Sequence, residues 1–74
     1  MATQAELAVV RALNDAEDQI ERGTMAKEGE DCPDGWENFH TLALLYSDDE
    51  DIADQDACEA AIYAALEEKF PEYA

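Results

Sequence analysis

Between Asp48 and Asp56 the chain places six carboxylates in nine residues: Asp48, Asp49, Glu50, Asp51, Asp54 and Asp56. Two further groups are nearly as dense: Asp15, Glu17, Asp18 and Glu21, and then Glu28, Glu30, Asp31 and Asp34. Side chains of this type can hold a divalent cation, pass protons, or offer negative charge to a basic surface. The first possibility can be tested against ligand spacing. Asp48 to Glu59 has the length of a calcium loop, with Asp48, Glu50 and Glu59 at its first, third and twelfth positions. Its fifth position is Ile52, and Ala53 stands where the sharp turn requires glycine, so the pattern fails where geometry is strictest.

Other chemistry is thinly provided. His40 is the only histidine, Ser47 the only serine, and no glycine-rich phosphate loop is present. Cys32 and Cys58, 26 positions apart, do not make a zinc site with one histidine. The expectation is a non-enzyme with no cofactor and no metal. Two cysteines are too few for a disulfide scaffold, which leaves free thiols, Cys58 in the core, with a Cys32–Cys58 bridge as the minor alternative. No basic stretch followed by an apolar run opens the chain, and no segment reaches membrane-spanning length, so the expected compartment is the cytoplasm.

Charge is then the dominant property. Twenty Asp and Glu face four Lys and Arg, a net charge of −16 over 74 residues. Self-repulsion on that scale works against a compact state. It also excludes unaided binding to nucleic acids and anionic membranes, which are themselves polyanions. Yet 47% of the residues are apolar, more than a disordered acidic tail carries. One domain spanning residues 1–74 follows, with a thin core at this size that a homodimer interface would help.

The elements that position the acids read as helices. Thr3-Gln4-Ala5-Glu6 is a capping box. Val9, Leu13, Ala16 and Ile20 follow at helical spacing, flanked by Ala5 and Ala12, and Gly23 marks the stop after Arg22. Leu7 lies off this stripe, free for a partner or a second subunit. Residues 23–35 read as loop. A second helix is expected from Trp36 to Tyr46, with Trp36, Phe39, Ala43 and Tyr46 on one face and Leu42 and Leu45 beside them. Phe39 to Tyr46 also suits a buried strand, but no other segment offers it a partner. Ser47-Asp48-Asp49-Glu50 has the form of a second capping box. A last helix from about Asp54 to Phe70 turns Cys58, Ala61, Ile62, Ala65 and Leu66 inward and ends at Pro71. The fold class is all-α, a small three- to four-helix bundle.

Two resemblances attach to these features. Ala65-Leu66-Glu67-Glu68-Lys69-Phe70 looks like the second helix of acyl carrier proteins. Where that family has its Asp-Ser-Leu prosthetic-group motif, this chain has Gln55-Asp56-Ala57, and without a modifiable serine there is no carrier chemistry. In size, acidity and scarcity of lysine the whole chain resembles the small acidic DNA-mimic inhibitors of phages and mobile elements, which act against restriction, CRISPR, repair or chromatin proteins. Sixteen charges match roughly 27 Å of duplex, and a domain of this length is about 29 Å across. The class implies a basic nucleic-acid-binding protein as partner, competition as mechanism, and a phage role in evading host defence (anti-CRISPR or anti-restriction-like). On that reading the partner-binding residues are Asp15, Asp18, Glu28, Glu30, Asp31, Asp34, Asp48, Asp49, Glu50, Asp51, Asp54 and Asp56. Charge reversal at Asp48, Asp49 and Asp51 should then weaken binding more than reversal at Glu67 and Glu68.

Three readings compete, the plainest being a solvated surface on a small structural or oligomeric protein. Acidic, alanine-rich, lysine-poor surfaces also keep the proteins of salt-loving organisms soluble. An acidic adaptor for another basic protein would show an exposed apolar anchor among its acids, for which Trp36, Tyr46, Tyr63 and Tyr73 are candidates. Core filling is the simpler role for Trp36.

Overall fold

A computed structural model describes residues 2–74. Its elements are helices: α1 (Gln4–Arg22), α2 (Phe39–Ser47) and α3 (Gln55–Lys69), followed by a single 3-10 turn, Pro71–Tyr73. The all-α class holds, and Phe39 to Tyr46 is helix. Among the described residues β-pairing is confined to one isolated bridge, Met25 with Glu37.

Local signals set the ends of α1. The Glu6 amide donates to Thr3 Oγ1 at 3.1 Å, and the Glu6 carboxylate reaches back to the Thr3 amide. At the other end Gly23 takes φ 75°, and the amides of Gly23 and Thr24 donate to the carbonyls of Ile20 and Gln19. These are the two bonds of a Schellman ending, which requires a left-handed residue. Asp54 opens α3 by accepting the Ala57 amide at 3.0 Å.

Each helix pairs with the other two. The deepest line of α1 is Ala8, Ala12 and Ala16, with Val9, Leu13 and Ile20 half-buried beside it. The expected stripe is therefore shifted toward its smallest residues. A small-residue line admits the large buried side chains of the same core, Phe39, Leu42, Ile62 and Leu66. On α3 the inner line is Cys58, Ile62 and Leu66; Ala65 is half-buried, and Ala61, expected inside, is exposed. Both cysteines are free, Cys32 exposed and Cys58 buried.

The segment between α1 and α2 departs most from expectation. α2 starts at Phe39, not Trp36, because Asn38 Oδ1 takes the Thr41 amide at 2.8 Å and caps the helix there. Ahead of it the Trp36 amide closes a turn on the Pro33 carbonyl at 3.0 Å. The Glu37 amide then bonds the Thr24 carbonyl, and its carbonyl takes the Ala26 amide. That bridge buries Met25 and Ala26, which nothing in the local sequence marks as core, and leaves Trp36 38% exposed. Core filling is thus not the role of Trp36.

Ser47-Asp48-Asp49-Glu50 is not a capping box. Ser47 is the buried last residue of α2, and its hydroxyl donates to the Leu44 carbonyl. Asp49 instead accepts the Asp51 amide at 2.9 Å, and the Ile52 amide donates to the Asp49 carbonyl. Starting a helix at Asp48 would forfeit this turn, which delivers Ile52 to the core at 5% exposure.

Candidate functional site

The carboxylates divide into those with structural partners and those without. Asp15, half-buried on α1, accepts the Tyr46 hydroxyl at 2.6 Å and the Gln19 amide at 3.2 Å. It fastens α1 to α2. The Tyr46 hydroxyl is pushed up to about 12, first by that hydrogen bond, then by burial and by the charges of Asp15 and Glu37, with Arg11 opposing. Asp18 pairs with Arg22 at 3.1 Å, and Glu17 with Lys69 at 3.8 Å. These are the two ion pairs among the described residues. Asp54 and Asp49 are spent on backbone amides, as above. Asp48, Glu50, Asp51, Asp56, Glu30, Asp31 and Asp34 are exposed.

Tertiary packing gathers some of these acids and not others. Asp48, at the end of α2, faces Asp56 and Glu59 of α3 across a cleft of about 280 Å³ that Leu44 and Gln55 also line. Asp56 and Glu59 continue into a second, open hollow of about 500 Å³, whose other walls are Ala60, Tyr63, Ala64 and Glu67. At its far end the half-buried Glu28 meets Glu67. The Glu28 carboxyl is raised by burial first, then by the charge of Glu67 and the hydrogen bond between them. Glu28 is held there because its amide donates to the Tyr73 carbonyl at 3.0 Å. Burial and the charges of Glu28, Glu59 and Glu67 raise the Tyr63 phenol. The result is an acidic strip along α3, from Asp48 through Asp56, Glu59 and Glu67 to Glu28. Asp15 and Asp18 on α1, and Glu30, Asp31 and Asp34 on the long loop, do not line either hollow.

Glu59 and Glu67 are not among the expected partner-binding residues: Glu59 entered only as the twelfth position of the failed calcium loop, and Glu67 served as a comparison position. The signal was available: Glu59, Tyr63 and Glu67 recur every four residues on one helix face.

A second carboxyl cluster is internal. Glu37 Oε2 is buried without a hydrogen-bond partner, and the group is raised by burial and by Asp15. Elsewhere the His40 ring lies 6.2 Å from the Tyr63 ring, tilted by 46°. Among the described residues no group of His, Cys, Asp and Glu is placed to hold a metal ion, and no helix is long and apolar enough to cross a membrane. No protein-family model, curated protein or solved structure matches the chain.

Proposed function

We propose that this protein is a non-enzymatic inhibitor that offers a nucleic-acid-like carboxylate surface to the basic groove of a nucleic-acid-binding protein and blocks it by competition. The observation that carries this reading is the row of carboxylates along and beside α3, from Asp48 through Asp56 and Glu59 to Glu67, backed by a net charge of −16. Dimensions support it. The molecule measures 32 × 19 × 18 Å, and a 32 Å length of duplex carries about 19 phosphate charges at one per ~1.7 Å. The three helices act as a minimal bundle that holds the strip rigid. Attraction between the strip and a basic groove makes association fast and salt-sensitive. The setting is a host cytoplasm, and a defence complex is the kind of target this chemistry suits.

A pull-down from host lysate at low and moderate salt tests the proposal. The expected result is capture of a nucleic-acid-binding protein that competing duplex DNA or RNA releases. Capture that is insensitive to nucleic acid, or a chain that folds only in concentrated salt, overturns it; the latter makes the acidity a solubility adaptation.

One observation favours a second reading, an acidic adaptor for a basic protein of another kind. Trp36 is 38% exposed on the loop that carries Glu30, Asp31 and Asp34, the setting of an interface anchor. Trp36→Ala separates the two. It removes most of the affinity from an adaptor and little from a mimic whose contacts are the carboxylates of α3.

A further inference from the structure

The hollow on α3 has a composition that a plain solvated acidic surface lacks. Its floor is the two exposed alanines Ala60 and Ala64 and the half-buried ring of Tyr63, and its rim is Asp56, Glu59 and Glu67. Glu59, Tyr63 and Glu67 succeed one another by a helical turn, about 6 Å of axis each. Along the helix Tyr63 therefore lies between two carboxylates, with the His40 ring 6.2 Å from its own. Beyond Glu67, the backbone bond from Glu28 to Tyr73 anchors the main chain of a further acid near the hollow. Among the described residues neither Glu59 nor Glu67 is paired with a lysine or arginine, so an incoming cation meets unspent negative charge at the rim.

We propose that this hollow seats an arginine side chain of the basic partner, its methylene stem on Ala60 and Ala64, its guanidinium stacked on Tyr63 and bonded to Glu67 at the rim. The proposal rests on the reading of the protein as a competitor for a basic groove, and it names the contact that makes recognition more than a charge effect. Arginine is favoured over lysine for physical reasons. A planar guanidinium stacks on an aromatic ring and donates to carboxylates in a fork, whereas an ammonium is compact and strongly hydrated. Its apolar stem matches the alanine floor. A neutral or acidic segment would leave the carboxylates of the rim, Asp56, Glu59 and Glu67, without a counter-charge.

The test uses the full chain, isotope-labelled, titrated at constant ionic strength with the capped peptide Gly-Arg-Gly and with its lysine counterpart. The expected result is that arginine shifts the amides of residues 56–67 and of Glu28 before any others, and binds at least about threefold more tightly than lysine. Ala64→Leu keeps every charge but fills the floor, and should weaken the arginine peptide about fivefold or more. Glu21→Gln with Glu68→Gln removes two charges outside the hollow and should change it by less than about twofold. These positions, like Ala64, are exposed, and amide spectra report whether each variant is folded. Shifts scattered over the whole surface, equal affinity for the two peptides, or an Ala64→Leu variant that binds as well as the parent each overturn the inference. If nucleic-acid-displaceable capture from lysate persists alongside such a result, the competitor reading stands without this contact. If that capture is itself missing, the competitor reading is what has failed.

Discussion

Asp15 and Glu67 are both helical carboxylates, yet they stand in opposite surroundings. Asp15 receives two side-chain hydrogen bonds, one from Tyr46 across the α1–α2 contact. Glu67 receives the carboxyl of Glu28, another acid. In the first region a charge is satisfied and holds two elements together. In the second, one acid is set near another, and the charge of Glu67 works against ionisation of Glu28. Carboxylate chemistry is the same in both places; what differs is the group that packing brings opposite. An acidic surface of this kind is thus not uniform, and the count of acids alone does not say which of them recognise anything.

The contrast can be broken first by removing the scaffold both regions need. Ile62 is fully buried on the inner side of α3, and Ile62→Ala should cost about 2–5 kcal/mol, enough to unfold much of so small a domain, as a denaturant midpoint will read. Next comes the satisfied region. Tyr46→Phe leaves Asp15 without its strongest donor, and a loss of about 1.5–3 kcal/mol is expected, with partner binding unchanged in the same pull-down. The same variant has an alkaline signature. The folded Tyr46 hydroxyl lies at about 12 against 10.0 ordinarily, so its stabilisation is complete below the ordinary value and disappears as pH rises to about 12. Tyrosinate absorbance of the parent should contain a late-titrating group that Tyr46→Phe removes.

The crowded region behaves the other way with pH. Glu28 and Glu37 are both raised in the folded protein, so the folded state holds their protons more tightly than the unfolded chain does. Their contribution is therefore fully present below the unfolded value of ~4.3 and is lost as pH climbs through the raised folded values. Stability should consequently rise as pH falls through the raised folded values of these two groups, the reverse of ordinary acid denaturation, and Glu28→Gln with Glu37→Gln should flatten that profile. The smallest effect expected is Glu67→Gln. Relief of like-charge repulsion at this exposed position should stabilise by less than about 1 kcal/mol, while nucleic-acid-displaceable capture weakens. Glu68→Gln, outside the hollow, should change neither appreciably.

Local signals carry far in this chain. The Thr3–Glu6 capping box, the Gly23 stop and the break at Pro71 were all legible because each is decided within a few residues by backbone groups that need partners. The helical class and the inner residues Cys58, Ile62 and Leu66 followed from periodicity. Ser47-Asp48-Asp49-Glu50 misled for the converse reason: it satisfies a local rule, but burial of Ile52 and Ser47 outweighs it. Trp36 and Met25 exchange their expected places because the Met25–Glu37 bridge, an interaction between segments twelve residues apart, folds one inward and the other out.

The sequence alone determined how much charge this protein carries, that its chain is helical, and where its first helix begins and ends, since these depend on composition and on neighbours along the backbone. Only the tertiary structure decided which carboxylates are spent and which are left facing one another. Asp15 meets Tyr46 and Glu28 meets Glu67 across 31 and 39 positions of chain, and no residue's own type records what packing will set against it.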